Sequence, residues 1–148
     1  MNSTIGTAHN PWRLATSSGG SEYTMHIDDT LDPPLLVCMV GKNELTYLAR
    51  AIDDLHEWLV EQNDWILIGG ADEQRPAIAG TVEDFGRSPK NPVGGWYGQL
   101  VGNRGRFGVY VSPVLVAQGR AEIEITGRKA RIRAIPVAGS VESEAALG

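Results

Sequence analysis

Alternating and continuous apolar runs indicate two strands near the start of the chain. Residues 22–28 alternate, with apolar side chains on one face at Tyr23, Met25 and Ile27, which is typical of a half-buried strand. Residues 35–40, LLVCMV, form a continuous apolar run that predicts a central strand. The letters DPP before this run are turn residues. The pattern therefore predicts a hairpin-like pair of strands.

A longer pattern with helical spacing follows. Asn43 is a good N-cap residue, and apolar residues then recur at intervals of three and four, at Leu45, Leu48, Ile52, Leu55 and Leu59. This periodicity predicts one long amphipathic helix over residues 43–62. Its other face carries an acidic stripe, Asp53, Glu57 and Glu61. We interpret the stripe as a solvated face, or as a docking face for basic residues of the second half or of a neighbouring subunit.

The middle of the chain combines short elements with connectors. Residues 65–68 predict a short buried strand before two glycines, and residues 71–79 predict a polar connector. Thr81 predicts the N-cap of a brief helix over residues 82–85. Two prolines within residues 88–92 require a loop.

A second helix is predicted near the C-terminus. Ser112 and Pro113 are typical of a helix start, and Gly119 is a natural stop. Residues 107–111 are either a separate strand or the first part of a helix kinked at Pro113, and we slightly favour the helix.

A β-hairpin follows this helix. Residues 121–125 and 130–134 alternate on either side of a turn at Gly127 and Arg128. The register pairs Glu124 with Arg131, Glu122 with Arg133 and Ile123 with Ile132. A short helix, a glycine stop and a hairpin in this order are similar to the third helix and wing of a winged-helix module.

These elements predict an α+β fold with four segments. Residues 1–21 are a flexible N-terminal segment, and residues 22–70 are an acidic strand-strand-helix-strand unit. Residues 71–135 are a basic winged-helix-like unit rich in glycine and arginine. Residues 136–148 are a flexible tail.

Composition limits the class of protein. The chain has 148 residues, of which 42% are hydrophobic and 21% charged, as in ordinary globular proteins. Neither a membrane span nor a signal peptide is recognisable. We therefore expect a cytoplasmic protein with no membrane contact. The single Cys38 lies in an apolar run, and we interpret it as a small buried hydrophobe.

Charge divides the chain into two halves of opposite sign. Residues 1–85 contain fourteen Asp or Glu and four Lys or Arg, whereas residues 86–134 contain nine Lys or Arg and two Glu. This split predicts either a surface for a polyanion or two halves that attract each other.

Residues 102–108, GNRGRFG, are the strongest candidate for a ligand contact. Glycines let a backbone approach an anion closely, and Arg104 and Arg106 could contact phosphate oxygens. The spacing matches neither a Walker loop nor the RNA-binding consensus. The alternative is a turn with two exposed arginines and no ligand. After the hairpin pairing, Arg128 and Lys129 at the tip are also free for phosphate.

Residues 94–98, GGWYG, place two large aromatic side chains beside glycines. Trp96 and Tyr97 could stack on a base or a flat ligand, although aromatics beside glycines more often pack in the core. With Tyr110 they could line a small-molecule pocket, with polar help from Asp72, Glu73 or His26.

Candidates for catalysis and metal binding are weak. His26 and Asp28 lie on one face of a strand and lack a third ligand. We predict no metal and no cofactor, and we assign no catalytic residue.

Several blocks resemble a family of small bacterial proteins of uncharacterised function, found especially in soil bacteria. These blocks are SEYTM, AIDDL, ADEQ, GTVEDFGRSPKNPVGGWYG and RGRFG, and the similarity spans about residues 11–135. GGWYG and RGRFG are the most specific. Ser112 replaces the first residue of a double proline in the family, which still permits a helix start. The resemblance implies no activity.

Three functions follow from these observations. The first is an accessory or regulatory protein whose basic half contacts nucleic acid through Arg104, Arg106, Arg128 and Lys129, with Trp96 or Tyr97 stacking. The second is a small-molecule binder or enzyme with an aromatic pocket formed by Trp96, Tyr97 and Tyr110. The third is a homo-oligomeric assembly in which the acidic helix of one chain meets the basic half of another.

Overall fold

Four strands form an antiparallel sheet in which strands that follow each other in the sequence are neighbours. The structure is a computed structural model that describes residues 5–16, 20–127 and 129–135. The strands are β1 (Trp12–Ala15), β2 (Glu22–Asp28), β3 (Leu35–Val40) and β4 (Asn43–Leu48). The predicted strands β2 and β3 are confirmed with their predicted bounds. β1 lies within the segment predicted to be flexible, and Trp12 is buried.

Residues 43–48 form strand β4 rather than the start of the predicted helix. Gly41 adopts a φ of 60° and, with Lys42, makes a two-residue turn that places Asn43 opposite Val40. Leu45 and Tyr47 then alternate into the core, so this stretch fits a strand period as well as a helical one. Pairing with β3 decides between them, because β4 supplies hydrogen-bonding partners on the side of β3 that faces away from β2.

The helix that remains is α1 (Ala51–Gln62). Its apolar face is buried through Ile52, Leu55 and Leu59. It ends at Asn63, which has a left-handed φ of 52° and donates its backbone N–H to the Leu59 carbonyl at 3.1 Å. No helix among the described residues is long and apolar enough to cross a membrane.

A second antiparallel sheet has three strands, with the last described strand of the chain at its centre. It consists of β5 (Ile66–Leu67), β6 (Ala121–Thr126) and β7 (Lys129–Ala134). The predicted hairpin register is confirmed, with Glu122 opposite Arg133, Ile123 opposite Ile132 and Glu124 opposite Arg131. Because β5 pairs with β7, one sheet joins the acidic half of the chain to the basic half.

Two further helices lie between β5 and the hairpin. The first, α2 (Val82–Phe85), has the predicted Thr81 cap, whose Oγ1 accepts the Asp84 N–H at 3.1 Å. The second, α3 (Phe107–Ala117), continues through Pro113, so residues 107–111 are helical as we favoured. Most of its side chains are buried.

One hydrophobic core lies between the sheets and the helices. It contains residues from both halves of the chain, including Met25, Leu36, Tyr47, Leu55, Leu59, Phe107, Leu115 and Ile132. The fold is a mixed α and β structure, as predicted. The long helix and the winged-helix-like half are not confirmed. The predicted tail, residues 136–148, lies outside the described residues.

Candidate functional site

Two guanidinium groups lie over the indole ring of Trp96. The Arg87 guanidinium carbon is 4.4 Å from the centre of the indole ring, and that of Arg104 is 4.5 Å from it. Cations over an aromatic face are attracted by its quadrupole. The predicted candidates Trp96 and Arg104 are therefore neighbours, and both of them already have partners within the chain.

Arg87 is held by the loop that precedes α2. Its guanidinium donates to Glu83 at 2.7 Å and to the carbonyls of Ala71, Asp72 and Arg75. Glu83 is 1% exposed and also accepts the Gly108 N–H at 3.1 Å. Burial raises the pKa of Glu83, and the hydrogen bonds from Arg87 and Gly108 act in the opposite direction. This buried pair fixes α3 against α2.

The predicted ligand-contact segment, residues 102–108, is held in place by the carboxylate of Glu73. Glu73 accepts the backbone N–H groups of Gly102 at 2.8 Å and Arg104 at 2.9 Å. These hydrogen bonds, with the nearby Arg104 charge, lower the pKa of Glu73. The Arg104 side chain donates to the Gly98 carbonyl at 3.2 Å. The loop thus uses an anion of its own chain in the place where we predicted a phosphate.

The aromatic candidates do not face solvent together. Tyr97 is 0% exposed, stacks on Phe107 with ring centres 5.3 Å apart and donates its hydroxyl to Asp54 at 2.9 Å. Tyr110 meets Tyr23 edge to face at 5.0 Å. Tyr97 therefore has no face open for stacking on a ligand.

The remaining predicted cations are Arg106, Arg128 and Lys129. Arg106 and Lys129 are exposed, and neither forms an ion pair within the described part of the chain. Arg128 lies outside the described residues. On the hairpin, Arg131 pairs with Glu124 and Arg133 pairs with Glu122, as predicted. Both guanidinium groups also lie over Trp65.

An apolar groove of about 500 Å³ lies between the tip of the hairpin, β5 and the connector before α2. Ile68, Thr81 and Val109 are buried residues of its lining, and Leu67, Ile78 and Ile125 line its exposed part. The exposed fractions are 46% for Leu67, 75% for Ile78 and 51% for Ile125. Three large aliphatic side chains are therefore left in water around one concave surface.

The chemistry of this lining is simple. Glycines 69, 70 and 127 leave backbone open to the groove, and Lys129 is the only ionisable residue among the described residues that line it. The Thr81 hydroxyl is occupied, because it donates to the Ile78 carbonyl at 2.7 Å and accepts from Asp84. The groove can bury an apolar ligand, and among its described lining residues Lys129 supplies the charge.

The sequence signal for this groove was weak. Ile78 is an isolated large aliphatic residue in a polar connector, and Ile125 alternates as the core-facing residues of the hairpin do. Only the packing of the connector beside the hairpin brings them to one surface.

The other polar candidates have local roles or no shared site. Asp28 Oδ1 accepts from the Thr30 hydroxyl and backbone, which lowers its pKa, and Asp72 accepts the Gln74 N–H. No group of three His, Cys, Asp or Glu residues suitable for a metal occurs in the described part of the chain. Cys38 is completely buried, as predicted, and burial raises the pKa of its thiol to about 12.

Comparison with known families matches residues 4–135 to a family model whose description is "Family of unknown function (DUF6855)". No curated protein and no solved structure shows significant similarity to the chain.

Proposed function

The chain belongs to the DUF6855 family of unknown function, and we propose from its structure that it is a ligand-binding protein that uses the apolar groove beside the C-terminal hairpin. One observation carries this proposal, namely three exposed aliphatic side chains, Leu67, Ile78 and Ile125, around a single concavity. Leaving large aliphatic side chains in water costs free energy that a ligand recovers when it covers them.

The size and framework of the groove support this role. Its volume of about 500 Å³ is within the range of roughly 300–1,000 Å³ that small-molecule pockets occupy. Two of its walls are anchored through Ile68, whose backbone N–H donates to Ala130 and whose carbonyl accepts from Glu83. The Thr81 hydroxyl holds the connector at Ile78. A framework fixed in this way can bind without first being ordered.

The proposal is tested by titrating the protein with Nile red, a neutral apolar dye, and following its fluorescence. We expect saturable binding that Ile78→Asp or Ile125→Asp weakens roughly tenfold, because a carboxylate at the groove must be desolvated when the dye binds. Val101→Asp is the matched control, since Val101 is 80% exposed and does not line the groove. Urea unfolding checks that each variant is folded.

Two results would contradict the proposal. One is the absence of saturable dye binding to the wild-type protein. The other is a loss of affinity in Val101→Asp that equals the loss in Ile78→Asp, which would mean that the dye binds exposed aliphatic side chains without using the groove.

Contact with nucleic acid is a second candidate, favoured by the order of elements from α1 onwards. Helix, strand, two helices and a hairpin, with β5 beside β7, are similar to the order in winged-helix modules. Because most of α3 is buried, this helix cannot enter a groove of the nucleic acid. Binding would therefore rely on contacts with phosphates. Of the four predicted phosphate contacts, Arg106 and Lys129 form no ion pair in the described part of the chain, whereas Arg104 pairs with Glu73. Arg128 precedes Lys129 in the sequence.

Tryptophan fluorescence with short DNA and RNA duplexes and single strands at two salt concentrations tests this second candidate. If Arg106 and Lys129 contact phosphates, the double variant Arg106→Ala with Lys129→Ala lowers the salt slope by about two. Absence of saturable binding at low salt, or an unchanged slope, removes the candidate.

A further inference from the structure

We propose that the ligand of the groove is an unbranched aliphatic chain that ends in a carboxylate, with the chain between β5 and the connector and the carboxylate at Lys129. This inference rests on the proposed function, because it names the chemical class that the same groove selects.

The lining selects against aromatic and polar ligands. Its large side chains are aliphatic, contributed by Leu67, Ile68, Ile78, Val109 and Ile125, and the described lining contains no aromatic ring. Stacking is therefore not available to a nucleobase or another flat ring. Among the described lining residues the only side-chain hydroxyl is that of Thr81, and it is already bonded on both sides. A sugar or polyol would therefore depend on backbone groups at the glycines, and its hydroxyl groups that face the aliphatic side chains would stay unpaired, which is costly.

The charge at the groove selects an anion. Lys129 is the only ionisable group among the described lining residues, and the lining contains no carboxylate that would repel a negative ligand. Lys129 has no ion pair in the described structure, whereas the two described arginines of the same strand are paired with Glu122 and Glu124. An anionic head group would meet the ammonium of Lys129 at the hairpin. The other described side chains of the lining are apolar, apart from the Thr81 hydroxyl.

The arrangement of burial fits a ligand with one apolar and one charged end. Ile68 is 1% exposed and Thr81 is 3% exposed at the base of the groove, where a methylene chain loses its contact with water. Lys129 is exposed at the start of β7, where a carboxylate keeps part of its hydration. Because the exposed aliphatic side chains surround a concavity of about 500 Å³, we take the ligand to be a free fatty acid that enters it rather than a membrane surface.

The test compares three probes of equal chain length by calorimetry at pH 7.4, each below its micellar concentration. The probes are decanoate, decanol and decylamine. We expect decanoate to bind about two- to fivefold more tightly than decanol, because one partly exposed ion pair contributes an affinity gain of this size. Decylamine should bind most weakly, because its ammonium group is repelled by Lys129. Octanoate should bind more weakly than decanoate by about fourfold per methylene removed.

Two matched lysine variants test whether Lys129 binds the carboxylate of the ligand. Lys129→Met keeps the apolar stem and removes the ammonium, so decanoate and decanol should bind it with equal affinity. Lys42→Met is the control, because Lys42 is exposed in the turn between β3 and β4 and does not line the groove. It should keep the full preference for decanoate.

The outcomes separate this inference from the function on which it rests. If Nile red and decanol bind but decanoate has no advantage, or if Lys129→Met keeps the preference, the anionic head group is wrong and the apolar groove stands. If neither Nile red nor any of the chains binds, both proposals fail. Sedimentation with phosphatidylglycerol vesicles, with binding lost in Lys129→Met and no binding of free decanoate, would replace the free acid with a membrane surface.

Discussion

Gly108 shows how a single residue determines the distance between two elements. A Cβ at this position would lie 2.7 Å from the Ile68 carbonyl oxygen and 3.3 Å from the Glu83 backbone nitrogen. Real Cβ atoms do not approach backbone so closely. The absence of a side chain therefore lets α3 pack directly on the end of β5 and on α2.

Replacing Gly108 with alanine should destabilise the protein by about 1–3 kcal/mol, because backbone must move to admit the methyl group. The higher helix propensity of alanine offsets this only in part. Urea unfolding measures the change. Gly70→Ala is the matched control, since a Cβ there meets nothing within 4 Å, and an equal loss in both variants would contradict the packing explanation.

Glu73 gives a second prediction at the scale of a residue. Glu73→Gln should cost about 1 kcal/mol at pH 7, because the loop loses charge-assisted hydrogen bonds to Gly102 and Arg104. The folded-state pKa of Glu73 is lowered. Its contribution is therefore present above the ordinary pKa of a glutamate and is lost as the pH falls through the lowered value.

The measurement is urea unfolding of the wild-type protein and Glu73→Gln at pH 7, 5, 4 and 3. The stability difference should shrink on acidification. Glu61→Gln makes the same chemical change on an exposed residue of α1. A difference between wild type and Glu73→Gln that is constant over the pH range would show that the carboxylate charge does not hold the loop.

At the scale of elements, α2 is short and depends on its cap. With four residues, it cannot be stable from internal hydrogen bonds alone. The Thr81 hydroxyl makes two bonds, one to the Asp84 N–H within the helix and one to the Ile78 carbonyl in the connector. The same side chain therefore starts the helix and anchors one wall of the groove.

Thr81→Val keeps the shape of the side chain and removes both bonds. We expect a loss of about 0.5–2 kcal/mol in urea unfolding, the range for lost N-caps, whereas Thr81→Ser retains the hydroxyl and should lose less. If the valine and serine variants were equally stable, the hydroxyl would not be the stabilising group.

For the whole molecule, part of the opposite charge of the two halves is paired within the chain. Of the six ion pairs among the described residues, three join the acidic half to the basic half, namely Glu83 with Arg87, Glu73 with Arg104 and Asp53 with Arg120. These contacts agree with the prediction that the halves attract each other. The described lining of a depression of about 420 Å³ beside α1 contains four acidic residues, Asp54, Glu57, Glu61 and Asp84, and one basic residue, Lys90. This excess of negative charge disfavours a polyanion at that face.

These internal pairs bear on the assembly hypothesis. Because basic partners of the acidic half lie within the same chain, we expect light scattering to give the monomer mass of 16.0 kDa at both low and high salt. A dimer at low salt that dissociates at high salt would instead support docking of the acidic helix on another subunit.

The local sequence pattern was sufficient to predict the elements that depend on contacts between residues near each other in the sequence. Strands β2 and β3, the Thr81 cap and the register of the final hairpin follow from alternation, turn residues and neighbouring charges. Membership of a family of unknown function, also expected from sequence blocks, is confirmed. Residues 43–48 fit two periods equally, and the local pattern could not choose between them.

Tertiary structure decided what depends on distant residues. Glu73 lies 31 residues before Arg104, and Asp54 lies 43 residues before Tyr97, so no local pattern predicts that the loop is held or that the tyrosine is buried. The groove likewise exists only because the connector packs beside the hairpin. Propensity and period act over a few residues, whereas burial, ion pairing and concave surfaces are set when the whole chain packs.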